Sequence, residues 1–323
     1  MAVKLPILAG LHTVTRMAFK AAGYKWELRR SGELELGLWR IKLRSGKKSN
    51  PKRFVLVPGF GDSSFSWLAV LGMIRPVLSR KYDEVVLIDF PGYAGFQHTK
   101  SAFPTMDLLL SALGDCLDSL KPHTIMAHSL GGWLTASYAA SCGEGTRATT
   151  RHYRGPEVII LADPSGAFGS DEERKVFGEL FLNTVVHGFE SIRGKLFTKE
   201  PLWFPLVVRE AGHFLTLPEI STFLHSVRDD HVVQERLKHI RARVWLLWGE
   251  DDILVPSHWH KAWLAALKSA PTDQLLASAV LIRGAGHSVQ IEKPAVVAAA
   301  VAQMLLGRTP HDLGKRWWKV VSA

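Results

Sequence analysis

Two hydrophobic rhythms follow one another along the chain. In Lys25-Trp26-Glu27-Leu28-Arg29 and Leu34-Glu35-Leu36-Gly37-Leu38, polar and apolar positions alternate on either side of Ser31-Gly32, which predicts a β-hairpin. From Phe54 onward the pattern becomes short unbroken apolar runs separated by stretches of helical period. The runs are Phe54–Val57, Val85–Ile88, Thr124–Ala127, Val158–Ala162, Val244–Trp248 and Ala279–Ile282. A strand with no polar alternation is buried on both faces, as in a parallel sheet covered by helices. The predicted fold class is therefore α/β, a doubly wound, mostly parallel sheet with the hairpin as an antiparallel edge.

The rhythm breaks between Gly166 and His239. This stretch has no comparable strand, is helical in tendency, and carries eight Phe and one Trp together with Pro201, Pro205 and Pro218. It predicts a helical cap inserted after the sixth strand, above the carboxyl ends of the strands where such sheets bind ligands. The expected organisation is a core of residues 1–165, a cap of 166–239 and a second core part of 240–323. Near the start, Leu5 to Ala22 is mildly amphipathic. It reads as a helix packed on the domain, with an anionic membrane surface as the alternative seat.

Composition narrows the classes. Of 323 residues, 47% are hydrophobic and 22% charged, which excludes a disordered or collagen-like chain. No uncharged run approaches the roughly 20 residues that span a bilayer, and no small-residue cleavage site follows the N-terminal stretch. Two cysteines, Cys116 and Cys142, make neither a disulfide scaffold nor a metal-ligand pair, which fits a reducing, cytoplasmic setting. The net charge of +10 is partly local, since Arg40 to Arg53 holds seven basic residues and no acidic one. No nucleic-acid-binding module accompanies that run, so it reads as a solvated loop, with peripheral attraction to anionic lipid as the functional alternative.

The chemistry centres on Ala127-His128-Ser129-Leu130-Gly131-Gly132, where a buried strand passes into a helix. A serine on so sharp a turn needs small neighbours at minus two and plus two so that backbones can approach. Its hydroxyl is a weak nucleophile near neutrality and needs a base. His287, in Gly284-Ala285-Gly286-His287-Ser288 after the last apolar strand, is the candidate. The base needs a carboxylate to orient it, and Glu250, Asp251, Asp252 and Asp163 are all placed after strands. His128 is a candidate substrate contact, and Trp133 reads as core. Gly59-Phe60-Gly61-Asp62-Ser63-Ser64 imitates a dinucleotide-binding turn, but its third glycine is a serine and that reading leaves the serine and histidine without a role.

With these motifs in hand, most of the chain resembles the lidded α/β-hydrolase family of serine esterases and lipases. Serine, acid, histidine is that family's chain order. Its G-x-x-D-x-x-x-P pattern falls on Gly249, Asp252 and Pro256, which implies Asp252 as the acid and leaves Asp163 as a structural or reserve carboxylate. Gly286-His287 through Glu292-Lys293-Pro294 resembles the catalytic-histidine segment, and Asp89-Phe90-Pro91-Gly92 a structural turn. The family's H-G-x loop falls on Pro58-Gly59-Phe60, so the backbone N–H groups of Phe60 and Leu130 are the implied oxyanion donors. Proline replaces the usual histidine there, which leaves open how the loop is braced. The resemblance implies hydrolysis of a carboxylic ester, such as a monoacylglycerol or short-chain ester, with no cofactor and no metal. The alternatives are a carbon–carbon bond hydrolase or peptidase with the same three residues, or a non-catalytic receptor on the same fold.

Overall fold

The computed structural model describes residues 6–44, 49–91, 104–147, 153–269, 277–308 and 317–322. Lys47 and Lys48 of the basic run, Gly92 of the Asp89 turn, and His98 lie outside the described residues. The chain opens with helix α1 (Pro6–Ala21) and the predicted hairpin, β1 (Lys25–Ser31) and β2 (Leu34–Lys42). Then come β3 (Arg53–Val57), α2 (Leu68–Lys81), β4 (Glu84–Asp89), α3 (Met106–Leu120), β5 (Thr124–His128), α4 (Leu130–Glu144) and β6 (Val158–Ala162). The connection to β7 (Arg243–Gly249) carries α5 (Asp171–His187), α6 (Phe204–Leu215) and α7 (Pro218–His225). The chain ends with α8 (His260–Lys268), β8 (Ala277–Ile282), α9 (Val289–Glu292), α10 (Pro294–Leu305) and β9 (Trp318–Ser322).

Among the described residues nine strands form one sheet in the order β1-β2-β4-β3-β5-β6-β7-β8-β9. The pairs from β4 through β3, β5, β6 and β7 to β8 are parallel, while β1–β2, β2–β4 and β8–β9 are antiparallel. The sheet thus has antiparallel pairing at each end, and β9 is an addition to the sequence expectation. Residues of one strand serve two cores. Val55 and Val57 face a cluster shared with α3, α4 and α8, whereas Phe54 and Leu56 face one shared with α1, α2 and α10. That division is why the strands lack polar alternation.

Local chemistry fixes the helix ends. Thr105 Oγ1 accepts the Leu108 N–H to open α3, and Ser170 Oγ accepts the Glu173 N–H to open α5, whose first turn is Asp171-Glu172-Glu173. Prolines in the first turns of α6, α7 and α10 sit where a helix loses no hydrogen bond to them. The last residues before β7 return to the main body. Leu237 is buried, and Arg236 grips Glu144 of α4 at 2.8 and 3.0 Å.

Strand order also places the site. The chain runs from β3 outward to β4, then crosses back to β5 on the other side of β3. At such a switch point the loops leaving neighbouring strands diverge and open a crevice at their carboxyl ends. Phe60 follows β3 and Ser129 follows β5, so both stand at that crevice.

Candidate active site

Ser129 occupies the single residue between β5 and α4, with φ +51° and ψ −119°. A non-glycine residue there carries strain of about 1–3 kcal/mol, which surrounding bonds must hold. Those bonds are present: the Ser129 N–H donates to the Ala162 carbonyl at 2.9 Å, and its carbonyl accepts from Trp133 N at 3.2 Å and Ser165 N at 3.4 Å. Gly131 is required by contact. A Cβ at that position would lie 2.3 Å from the Pro58 carbonyl oxygen, so any side chain would push the β3 loop away.

Three side chains from distant parts of the sequence meet here. The Ser129 Oγ lies 3.0 Å from His287 Nε2, and His287 Nδ1 lies 2.8 Å from Asp252 Oδ2. All three residues are buried. Asp252 Oδ1 accepts the N–H groups of Leu254 and Val255 at 2.9 and 3.0 Å, which fixes the carboxylate from behind. With Nδ1–H donating to Asp252, the Nε2 lone pair is turned towards the serine hydroxyl. Glu250 and Asp251 stand apart in the loop, Asp251 exposed and Glu250 half-buried.

Asp163 lies behind this line and is completely buried, with φ +45°. Its Oδ1 accepts the Gly249 N–H at 2.7 Å, and its Oδ2 has no hydrogen-bond partner. Burial, and then the charge of Asp252 beside it, pushes the Asp163 carboxyl well above its ordinary value. Ligand atoms of Asp163, Asp252 and His287 lie within 4.8 Å of one another, close enough in principle for a cation. The Nδ1 of His287 and both oxygens of Asp252 are already committed to the hydrogen bonds above, so the geometry suits proton relay better than metal ligation.

The loop after β3, where proline stands at the first position of Pro58-Gly59-Phe60, is braced by Asp62. Its Oδ1 accepts the Ser63 N–H at 2.7 Å and its Oδ2 accepts the Ser66 hydroxyl at 2.7 Å. Its signal in the sequence is Asp62-Ser63-Ser64, a side-chain turn pattern. Leu130, the first residue of α4, has its N–H at the positive helix end, beyond the reach of an intrahelical acceptor. His128 does not line the cavity. Its Nε2–H donates to the His287 carbonyl at 2.9 Å, so it braces the histidine loop.

A cavity of about 180 Å³ opens above Ser129. Phe60, Trp133 and Phe168 line it from below, and Phe177, Phe181 and Phe223 from α5 and α7. Trp133 is buried as expected, yet it also walls this cavity, with its indole N–H held by the His231 carbonyl at 2.6 Å. Phe60 stacks on Phe223 with centroids 5.5 Å apart. At the rim, Arg174 pairs with Asp229, and Arg228 with Asp107 at 2.7 Å. Arg228 and His231 beside it hold the Asp107 carboxyl well below the usual range. His258, unassigned from sequence, joins Glu173 of α5 at 2.5 Å.

A family model described as the alpha/beta hydrolase family matches residues 54–300. The chain belongs to the α/β-hydrolase family. An uncharacterised hydrolase of Bacillus subtilis, YugF, is 23% identical over 279 residues, covering 79% of this chain and 91% of its own length. Among solved structures, a membrane phospholipase A described as a bacterial virulence factor superposes with TM-score 0.67 at 20% identity, over 93% of this chain and 92% of that one. The carboxylesterase CesB of Bacillus subtilis gives 0.60 at 18% identity, over 91% and 98%. This α/β-hydrolase therefore shares its fold with a phospholipase and a carboxylesterase, and at these identities the likeness concerns the fold alone.

Proposed function

We propose that this α/β-hydrolase cleaves carboxylic esters with an apolar acyl group through an acyl-enzyme at Ser129. The observation that carries the reading is the continuous relay of Ser129, His287 and Asp252, at 3.0 and 2.8 Å, beneath an aromatic cavity. Ser129 Oγ attacks the carbonyl carbon while His287 Nε2 takes its proton, and Asp252 stabilises the resulting imidazolium. The N–H groups of Leu130 and Phe60 would receive the oxyanion, each such donor contributing about 3 kcal/mol to the transition state. Collapse breaks the bond to the alcohol oxygen, which takes the proton from His287 and leaves. Water then repeats the sequence against the acyl-serine, releasing the acid and restoring Ser129.

Residues 166–239 would serve as the cap, with α5 and α7 presenting aromatic rings to the acyl chain. An apolar chain gains about 25 cal/mol for each Å² it removes from water, so the aromatic walls favour acyl groups longer than acetyl. The test combines labelling with a substrate series. A fluorophosphonate should label the native protein and not Ser129→Ala. p-Nitrophenyl esters should be turned over with a preference for medium or longer chains, and Ser129→Ala should lower kcat by about 10⁶ while remaining folded. Labelling at another residue, or native activity in the variant, would overturn the mechanism. Turnover of vinylogous diketones or aminoacyl amides in place of esters would move the reaction class.

A further inference from the structure

Three surface segments that the proposed reaction does not use meet on one side of the molecule. On α1, Ile7, Val14 and Met17 are 47, 65 and 65% exposed. Their spacing puts them on one stripe, while the opposite side of the helix is anchored by buried Phe19, stacked on Trp39 at 5.2 Å. On α2 four exposed positions, Ala69, Gly72, Met73 and Pro76, are uncharged, beside exposed Arg75 and Arg80. At the start of α6, Leu202 is 98% exposed, with Trp203 at 40% and Leu206 at 64%. The segments are contiguous: Ile7, Ala69, Trp203 and Leu206 line one groove of about 390 Å³. The Ile7 N–H also donates to Glu210 of α6 at 2.9 Å, and Arg75 of α2 reaches the Ala22 carbonyl beyond the end of α1.

Charge gives this apolar face a direction. Neither α1 nor α2 contains an acidic residue, and between them they carry Arg16, Lys20, Arg75, Arg80 and Lys81. Glu210 on α6 is engaged by the Ile7 N–H. A stripe of exposed aliphatics, a half-exposed tryptophan and flanking cations match a bilayer interface. There the aliphatics enter the acyl region, the indole lies at headgroup depth and the cations meet anionic lipid.

We propose that this face, built from α1, the outer side of α2 and the start of α6, docks the protein on an anionic lipid bilayer. Among the described residues no helix is long and apolar enough to cross a membrane, so the seat is peripheral. α6 turns its other side inward, where Phe214 packs near Phe60 of the cavity wall at 6.5 Å. Bilayer contact would therefore lie one helix away from the reactive crevice. The docking concerns binding alone and stands whatever ester the enzyme cleaves.

Vesicle sedimentation with Ser129→Ala protein, which leaves lipid intact, tests the proposal. Binding to phosphatidylcholine vesicles containing phosphatidylglycerol should exceed binding to phosphatidylcholine alone by about tenfold or more, and should weaken with salt. Val14→Asp with Leu202→Asp, both at exposed positions, should abolish that binding. In the native background the same pair should leave hydrolysis of a water-soluble aryl ester unchanged. Lys20→Glu with Arg75→Glu should remove the preference for anionic lipid. Equal binding to both vesicle types, no binding to either, or undiminished binding of the double aspartate variant would overturn it. So would a stable dimer in solution that the aspartates dissociate, since a second copy would then be the occupant.

Discussion

At Ser129 a positive φ, a hydroxyl and a helix N-terminus are forced into one residue, and the neighbours that make this tolerable are small for steric reasons. Asp163 carries a different tension. Its carboxyl is raised by burial and by Asp252, so the folded protein keeps a proton that the unfolded chain gives up near pH 3.9. Between that pH and the raised folded value, the folded state binds more protons than the unfolded one, and stability falls as pH rises. Asn at this position keeps an acceptor for the Gly249 N–H and has no proton to lose. The melting temperature of Asp163→Asn relative to the native protein should therefore improve steadily as pH rises from about 4 towards the raised folded value. A difference that stays constant with pH would mean that Asp163 is ionised in the fold.

Among the elements, the link between the helical insertion and the histidine loop is the least expected. Glu292 Oε2 accepts the Gly286 N–H at 2.6 Å, and its Oε1 accepts the Thr198 N–H at 2.8 Å and the Thr198 hydroxyl at 2.5 Å. The Ser288 N–H donates to the Leu196 carbonyl at 2.9 Å in the same seam. Glu292 thus ties the segment between α5 and α6 to the loop that carries His287. Glu292→Ala should slow fluorophosphonate labelling of Ser129 by about tenfold, as expected for a base displaced from its attack geometry, and Glu292→Gln should recover part of the rate. Undiminished labelling in the alanine variant would show that the loop holds its place without the strut.

Which elements were legible follows from the range of the signals. The six apolar runs and the Ser31-Gly32 hairpin declare themselves locally, and all became strands. β9 did not, because alternation covers only Trp318-Lys319-Val320 and the strand gains its meaning from pairing with β8. Ser129 and His287 could be read from turn chemistry, whereas the choice among acids rested on resemblance. The Asp62 brace is local, with its signal in Asp62-Ser63-Ser64, whereas the cavity face of Trp133 and the Glu292 seam join residues far apart in sequence, and no local pattern encodes those meetings. The amphipathic pattern of α1 was visible, but its partnership with α2 and α6 was not.

Over the whole molecule, one sheet with two cores carries a helical insertion whose two ends rise from adjacent parallel strands, β6 and β7. The sheet register on either side is set by backbone pairing from Val158–Arg243 to Ala162–Leu247, independent of what lies between. The proton relay draws on β5, β7 and β8 loops, while the rings over the cavity come largely from the insertion. Under the proposed reaction, substrate choice and bond-breaking would therefore be housed in separable stretches of chain. A graft that exchanges the span between Asp163 and Arg243 for a relative's, keeping the Leu196–Lys199 seam, should transplant that relative's acyl preference onto an unaltered chemical engine.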